Sequence, residues 1–157
     1  AASDPQGWYL EAGGSMSMER SPLGTRWRDA SESLALRLDL PGFRGFRPTF
    51  EGGRASHRDR DCFNQESCPT VTGWTLRAGV ITGDILPRDS FVLAPYLRGD
   101  LGAFVGPDAT TFSPSLRVGL LVRATPRIVP RIEAGQVRYP ELGSIWELGA
   151  GLRVTLR

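Results

Sequence analysis

Lysine is absent from this chain of 157 residues, and all 19 basic side chains are arginine. Histidine occurs once, at His57, and cysteine twice, at Cys62 and Cys68. One imidazole and two thiols fall short of the four ligands that a zinc-type site takes, so no metal is expected. No apolar run reaches the roughly eighteen residues a spanning helix needs, which excludes a helical membrane anchor. Charge of one sign is not in excess either. Nineteen arginines stand against 17 carboxylates, and a net charge of +2 does not mark a nucleic-acid-binding surface. What is present is glycine (19), proline (12) and 40% hydrophobic residues, a balance that speaks for many turns, against long helices and against disorder. The length fits one domain over residues 1–157.

The sequence opens on Ala1-Ala2-Ser3 rather than Met, small residues of the kind left by signal-peptide cleavage. Cys62 and Cys68 lie six residues apart in a polar stretch and are expected to form a disulfide, which requires an oxidising compartment. Both features point outside the cytoplasm.

The dominant period is two. Trp8, Leu10, Ala12, Gly14, Met16 and Met18 alternate with Tyr9, Glu11, Gly13, Ser15 and Ser17. Equivalent alternation recurs over 34–40, 46–51, 74–80, 91–98, 112–123, 128–135 and 146–156, predicting eight strands and no helix. The connections read as alternately long (19–32, 53–69, 99–110) and short (41–45, 83–89, 125–127), with 139–144 intermediate. An even-stranded antiparallel up-and-down barrel has that arrangement, with its elaborated loops at one end.

A period of two fits a soluble barrel with an apolar interior or a membrane barrel with an apolar exterior, and the charges arbitrate. The polar face carries Glu11, Arg37, Asp39, Arg47, Glu51, Arg77, Arg98, Asp100, Arg117, Arg123, Arg131, Glu133, Glu147 and Arg153. Eight arginines and six carboxylates among Gly, Ser and Thr suit a narrow lumen in which guanidinium groups pair with carboxylates. The other face is rich in Leu, Val, Phe and Trp, and its strands are long enough to cross hydrocarbon at a tilt. Trp8, Trp27, Trp74 and Trp146 fall near strand ends, where interfacial aromatics belong. The alternative is a soluble extracytoplasmic, lipocalin-like barrel in which Trp8, Trp74 and Trp146 line a ligand cavity.

Three segments carry a family resemblance: Pro95-Tyr-Leu-Arg-Gly-Asp-Leu-Gly102; Leu116-Arg-Val-Gly-Leu-Leu-Val-Arg-Ala-Thr-Pro-Arg127; and Arg131-Ile-Glu-Ala-Gly-Gln-Val-Arg-Tyr139 with the closing Trp146–Leu156. They resemble the fifth and sixth strands, tight turn and last hairpin of the small eight-stranded outer-membrane barrels of the OmpA/OmpX type. The likeness covers most of the chain and is strongest after residue 90. It departs at the end, where Leu156-Arg157 stands in place of the usual terminal aromatic, and at Pro48, Pro95, Pro114 and Pro130 within strand patterns, each of which removes a ladder donor. The resemblance implies a bacterial outer-membrane location.

Chemistry is sparse. Ser56, His57, Asp59 and Asp61 contain the residue types of a hydrolase, but neighbours in a polar loop do not make a triad, whose geometry comes from the fold. Barrel enzymes that modify lipid are of similar size, yet their His-Ser signatures do not occur here in strand context; such an enzyme remains the second alternative. Asp59, Asp61 and Glu66 lack calcium-loop spacing, and Gly102–Gly106 lacks the lysine and following helix of a phosphate loop. The sequence therefore reads as a non-enzymatic outer-membrane barrel with a side-chain-filled lumen, needing no catalytic residues, cofactor or metal. Its expected partners are outer-membrane lipid and a protein or surface polymer met by loops 19–32, 53–69 and 99–110, with Phe63, Phe104 and segment 54–60 as contacts, and no nucleic acid.

Overall fold

A computed structural model of the chain describes residues 8–21, 24–43, 45–58, 70–82, 93–122, 128–139 and 143–156. Wherever apolar residues alternate with polar or small ones the backbone is extended. The strands are β1 (Trp8–Ser21), β2 (Gly24–Asp39), β3 (Phe46–Arg58), β4 (Thr70–Thr82), β5 (Leu93–Val105), β6 (Thr110–Phe112), β7 (Ser115–Val122), β8 (Ile128–Tyr139) and β9 (Gly143–Leu156). No helix occurs among the described residues. β6 and β7 are two pieces of one barrel strand interrupted at Ser113-Pro114; the Ser113 amide still donates to the Gly102 carbonyl at 2.7 Å. The wall therefore has eight strands.

Sequence neighbours pair antiparallel, and β1 pairs with β9, so the sheet closes on itself. The register fixes the shape. Tyr9 leads through Asp39, Thr49, Gly79, Asp100 and Ser115 to Val137 and Ile145. Ile145 adjoins Trp146, whose partner on β1 is Met18, so the circuit returns at the level of Glu19, ten residues beyond its start. A stagger of that size in a closed barrel requires strands tilted by about 35–45°. β1 starts and β9 ends at one end of the barrel, together with the β2–β3, β4–β5 and β7–β8 connections. We call this the terminal end, and the opposite one the hairpin end.

The expected loops are largely strand. Residues 19–21 and 24–32 extend the β1–β2 hairpin, β3 continues to Arg58, β5 continues to Val105, and β6 resumes at Thr110 after a tight turn in which the Gly106 amide bonds the Ala109 carbonyl. The strict alternation of long and short loops is accordingly lost. The β1–β2 extension is mostly polar, and 53–58 and 99–105 are punctuated by glycines that read as turn residues, so the period-two signal is weak there. The β1–β2 ribbon is also bulged: from Gly13↔Ala35 to Met18↔Trp27, β1 advances five residues while β2 moves eight, the kind of insertion that bends a hairpin. Residues 59–69, with Cys62, Phe63, Glu66 and Cys68, and the turn at 83–89 lie outside the described residues, as does 125–127.

Pro48, Pro95 and Pro130 each occupy the third position of their strand, and all three strands begin at the terminal end. A missing amide there costs little ladder, whereas Pro114 marks the interruption between β6 and β7. The β2–β3 turn closes with reciprocal Phe43–Phe46 backbone bonds of 2.8 and 3.0 Å, and its Gly45 has φ 81°. A side chain in that left-handed region costs about 1–2 kcal/mol. Gly45→Ala should therefore lower the urea midpoint of the folded barrel by that equivalent; an unshifted midpoint would show that the turn relaxes freely.

Candidate functional site

Alternation along the strands sorts side chains into two solvents. Among the residues whose side chains are described, odd-numbered positions of β1–β4 and β7–β9, and even-numbered positions of β5, point inward. Their opposites form an outer wall of Leu, Val, Ile, Phe, Met and Trp, with Leu36, Leu76 and Leu152 exposed by 51%, 59% and 54%. Trp8, Trp74 and Trp146 also face outward, which overturns the soluble alternative in which they line a cavity. Trp27 belongs to β2, but its side chain lies outside the described residues. On β9 the outward series runs from Trp146 to Leu156, ten residues, or about 23 Å of height at a 3.3 Å rise and a 45° tilt. That matches the apolar band of roughly 25 Å on transmembrane barrels.

The interior holds thirteen of the fourteen charged residues assigned to the lumen from sequence, all nearly fully buried: Glu11, Arg37, Asp39, Arg47, Glu51, Arg77, Arg98, Asp100, Arg117, Arg131, Glu133, Glu147 and Arg153. The fourteenth, Arg123, lies outside the described residues. Glu133 is the hub. Its carboxylate meets Arg117 at 2.8 Å, Arg98 at 3.5 Å and Arg37 at 3.7 Å, and also pairs with Arg131. Tyr96 donates its hydroxyl to the same carboxylate at 2.7 Å. Glu51 takes Arg77 at 2.8 Å and Arg98 at 2.9 Å; Glu147 takes Arg117 at 2.8 Å. Asp100 accepts from Arg98 at 2.8 Å and from the Ser115 hydroxyl at 2.9 Å.

A second group closes the seam between the first and last strands. Glu11 pairs with Arg37 and Arg131 and lies 3.9 Å from Arg153, while Asp39 meets Arg37 at 3.0 Å and Arg153 at 2.5 Å. Arg37 joins the two groups, since it touches Glu11, Asp39 and Glu133. Arg47 takes a different environment: it donates to the Leu40 carbonyl at 3.1 Å and lies 4.5 Å from the Tyr9 ring centroid, which Arg153 also approaches, at 5.0 Å.

Two apolar layers flank this network, and the sequence reading missed them. At the hairpin end Ala55, Phe104, Val137 and Ile145 pack together with Val71; at the terminal end Ile81, Ala94, Tyr96 and Leu121 pack with Val129. The signal was available, because these residues occupy inward parity at the strand ends. Phe104 is thus part of an internal cap rather than an exposed loop contact, which corrects its expected role. Arg54 is likewise a wall residue, exposed on β3, and not part of a loop.

Glycine makes room for the long side chains. A Cβ on Gly119 would sit 2.3 Å from the Tyr96 ring, and one on Gly135 would sit 2.6 Å from Cγ of Arg117. Of the residues considered for chemistry, Ser56 lies in β3 and Gly102 faces Arg77 inside the barrel; the His57 side chain, Asp59 and Asp61 lie outside the described residues. Among the described residues no group of three or more potential metal ligands forms.

These observations define a closed eight-stranded antiparallel transmembrane-type β-barrel, the fold of the small outer-membrane barrels. Solved structures that share it include the N-terminal β-barrel domain of Pseudomonas aeruginosa OprF (TM-score 0.64, 14% identity, 96% of this chain and 98% of that one). Neisserial surface protein A matches at TM-score 0.60 and 15% identity over 94% of this chain and 96% of that one. Ail, the attachment invasion locus protein of Yersinia pestis, solved in complex with the heparin analogue sucrose octasulfate, matches at TM-score 0.54 and 14% identity over 94% and 99%. No protein-family model and no curated protein matches the sequence. At these identities the fold is what is shared.

Removing one member of a buried ion pair leaves an uncompensated charge, at about 3–5 kcal/mol. Arg117→Ala, which removes one guanidinium from both Glu147 and Glu133, and Arg153→Ala, which removes one from Asp39, should each lower thermal unfolding of the solubilised barrel well beyond a surface Arg→Ala control. Gly119→Val should destabilise comparably, because it must displace the Tyr96 ring. Wild-type melting in all three would contradict a tightly filled interior.

Proposed function

We propose that this chain is a non-enzymatic protein of the bacterial outer membrane, a rigid anchor that spans the bilayer and presents the hairpin-end segments to the exterior. The observation that carries the reading is the filled lumen: a continuous ion-pair network between two apolar caps leaves the interior to structural duty. An interior of this kind suits neither conduction nor ligand storage, since a passing ion would have to break several buried pairs.

Function then falls to the hairpin end. The β1–β2 ribbon, residues 59–69 and the 106–109 turn are the surfaces for a partner protein or surface polymer, with 59–69 stapled by a Cys62–Cys68 disulfide. The heparin analogue on Ail supports a polymer as one class of partner for barrels of this fold.

Two measurements test the proposal. The purified protein should partition into detergent and migrate differently on gels before and after heating, and in planar bilayers it should give no steady single-channel current. Stable conductance would remove the anchor reading. Replacing 59–69 by a short Gly-Ser linker should leave the folded band intact while abolishing adhesion of cells that display the barrel to polymer-coated surfaces. Undiminished adhesion would take that segment out of the interaction.

A further inference from the structure

The outer wall is not evenly greasy. On the β3–β6 side large and small residues alternate across strands: Gly52 pairs with Leu76, Leu76 with Ala103 and Ala103 with Phe112, while one step toward the terminal end Phe50 pairs with Ala78 and Ala78 with Leu101. Gly52, Ala78 and Ala103 form the floor of an open trough of about 640 Å³ whose walls are Phe50, Leu76, Leu101 and Phe112. The next outward pair on β3–β4 toward the hairpin end is Arg54↔Trp74. Arg54 is exposed on this outer face and is charged, and it stands beside Trp74 on the hairpin side of the trough. A long guanidinium stem can lie along apolar wall while its head reaches the polar layer.

We infer that this trough and Arg54 together form a site for one lipid with a net-anionic phosphate headgroup in the leaflet at the hairpin end. An acyl chain lies across Gly52, Ala78 and Ala103, and its headgroup phosphate accepts hydrogen bonds from the Arg54 guanidinium. The two features need each other: an apolar furrow alone would take any chain, and an arginine alone any anion. Their order along the strand, furrow toward the bilayer and charge toward the interface, is that of an anionic amphiphile. The inference rests on the membrane reading above, and it adds selectivity at one place on the wall.

Substitutions exist that alter each half without disturbing the lumen. A Cβ on Gly52 would meet Leu76 Cδ2 at an ordinary 3.7 Å, so Gly52→Leu fills the trough without a backbone clash. Gly99 also faces outward but does not line the trough, and a Cβ there meets nothing within 4 Å, which makes Gly99→Leu a matched control. Wild type, Arg54→Gln, Gly52→Leu and Gly99→Leu would be folded into phosphatidylcholine vesicles containing a minor fraction of lipid A. The heat-modifiable band would then be extracted in mild detergent and its retained lipid measured by native mass spectrometry. Wild type and Gly99→Leu should retain lipid A in preference to phosphatidylcholine. Arg54→Gln and Gly52→Leu should each lose about tenfold of that preference, the size expected for removing a charge-assisted contact or its counterpart. Excess inorganic phosphate should not displace the lipid. Equal retention by all four proteins, or displacement by phosphate alone, overturns the site. Failure to give a heat-modifiable band in vesicles would instead overturn the membrane reading itself, and the site with it.

Discussion

The charged interior of this barrel depends on guanidinium groups being neutralised by carboxylates of their own and neighbouring strands. The described lumen holds seven arginines and six carboxylates within a single closed wall. Such a density of charge is tolerable in a low-dielectric space only if each ion is paired and hydrogen-bonded. Arginine suits the task better than lysine. Its planar fork lets Arg37 touch three carboxylates and Arg98 three, where an ammonium would offer one compact charge. The register even sets Arg98 directly opposite Arg117, a like-charge pair that holds because Glu133 accepts from both, with Glu51 on Arg98 and Glu147 on Arg117.

The outer wall and the lumen impose their demands on the same strands, one residue in two each. That division explains the glycine content: where a strand sends a long side chain inward, the neighbouring strand often answers with no side chain at all, as Gly119 does for Tyr96. It also explains why the interior changes character along its length. Toward the mouths the inward positions include Ile81 and Leu121 at one end and Val137 and Ile145 at the other, while Asp39 and Arg47 carry charge to the terminal end of β2 and β3.

Much of this was legible in the sequence. Period-two alternation over Trp8–Met18 and Trp146–Leu156 gave strand direction and face, and the grouping of charges on one parity assigned them to a shared interior. Three kinds of information were not legible. The β1–β2 ribbon beyond Met16 is mostly polar, so the period-two signal is weak there. Phe104 looked like a loop aromatic because its strand passes through Gly99 and Gly102, which resemble turn residues until inward parity is traced through them. The partners within the network were hidden as well: Glu133 is one of six carboxylates in the series, and only closure of the sheet shows that four arginines converge on it.

The seam between first and last strands has a kinetic side. Asp39 and Arg153 are 114 positions apart, and Glu11 draws on Arg131 and Arg153 from the chain's final third. None of these contacts rewards a partly built sheet, so early strands must carry unneutralised charge until the last hairpin arrives. Contact order is therefore high and folding slow. Once the ring is shut, peeling away any single strand would have to sever ladder and ion pairs together, which favours a long-lived barrel that yields all at once rather than fraying from an edge.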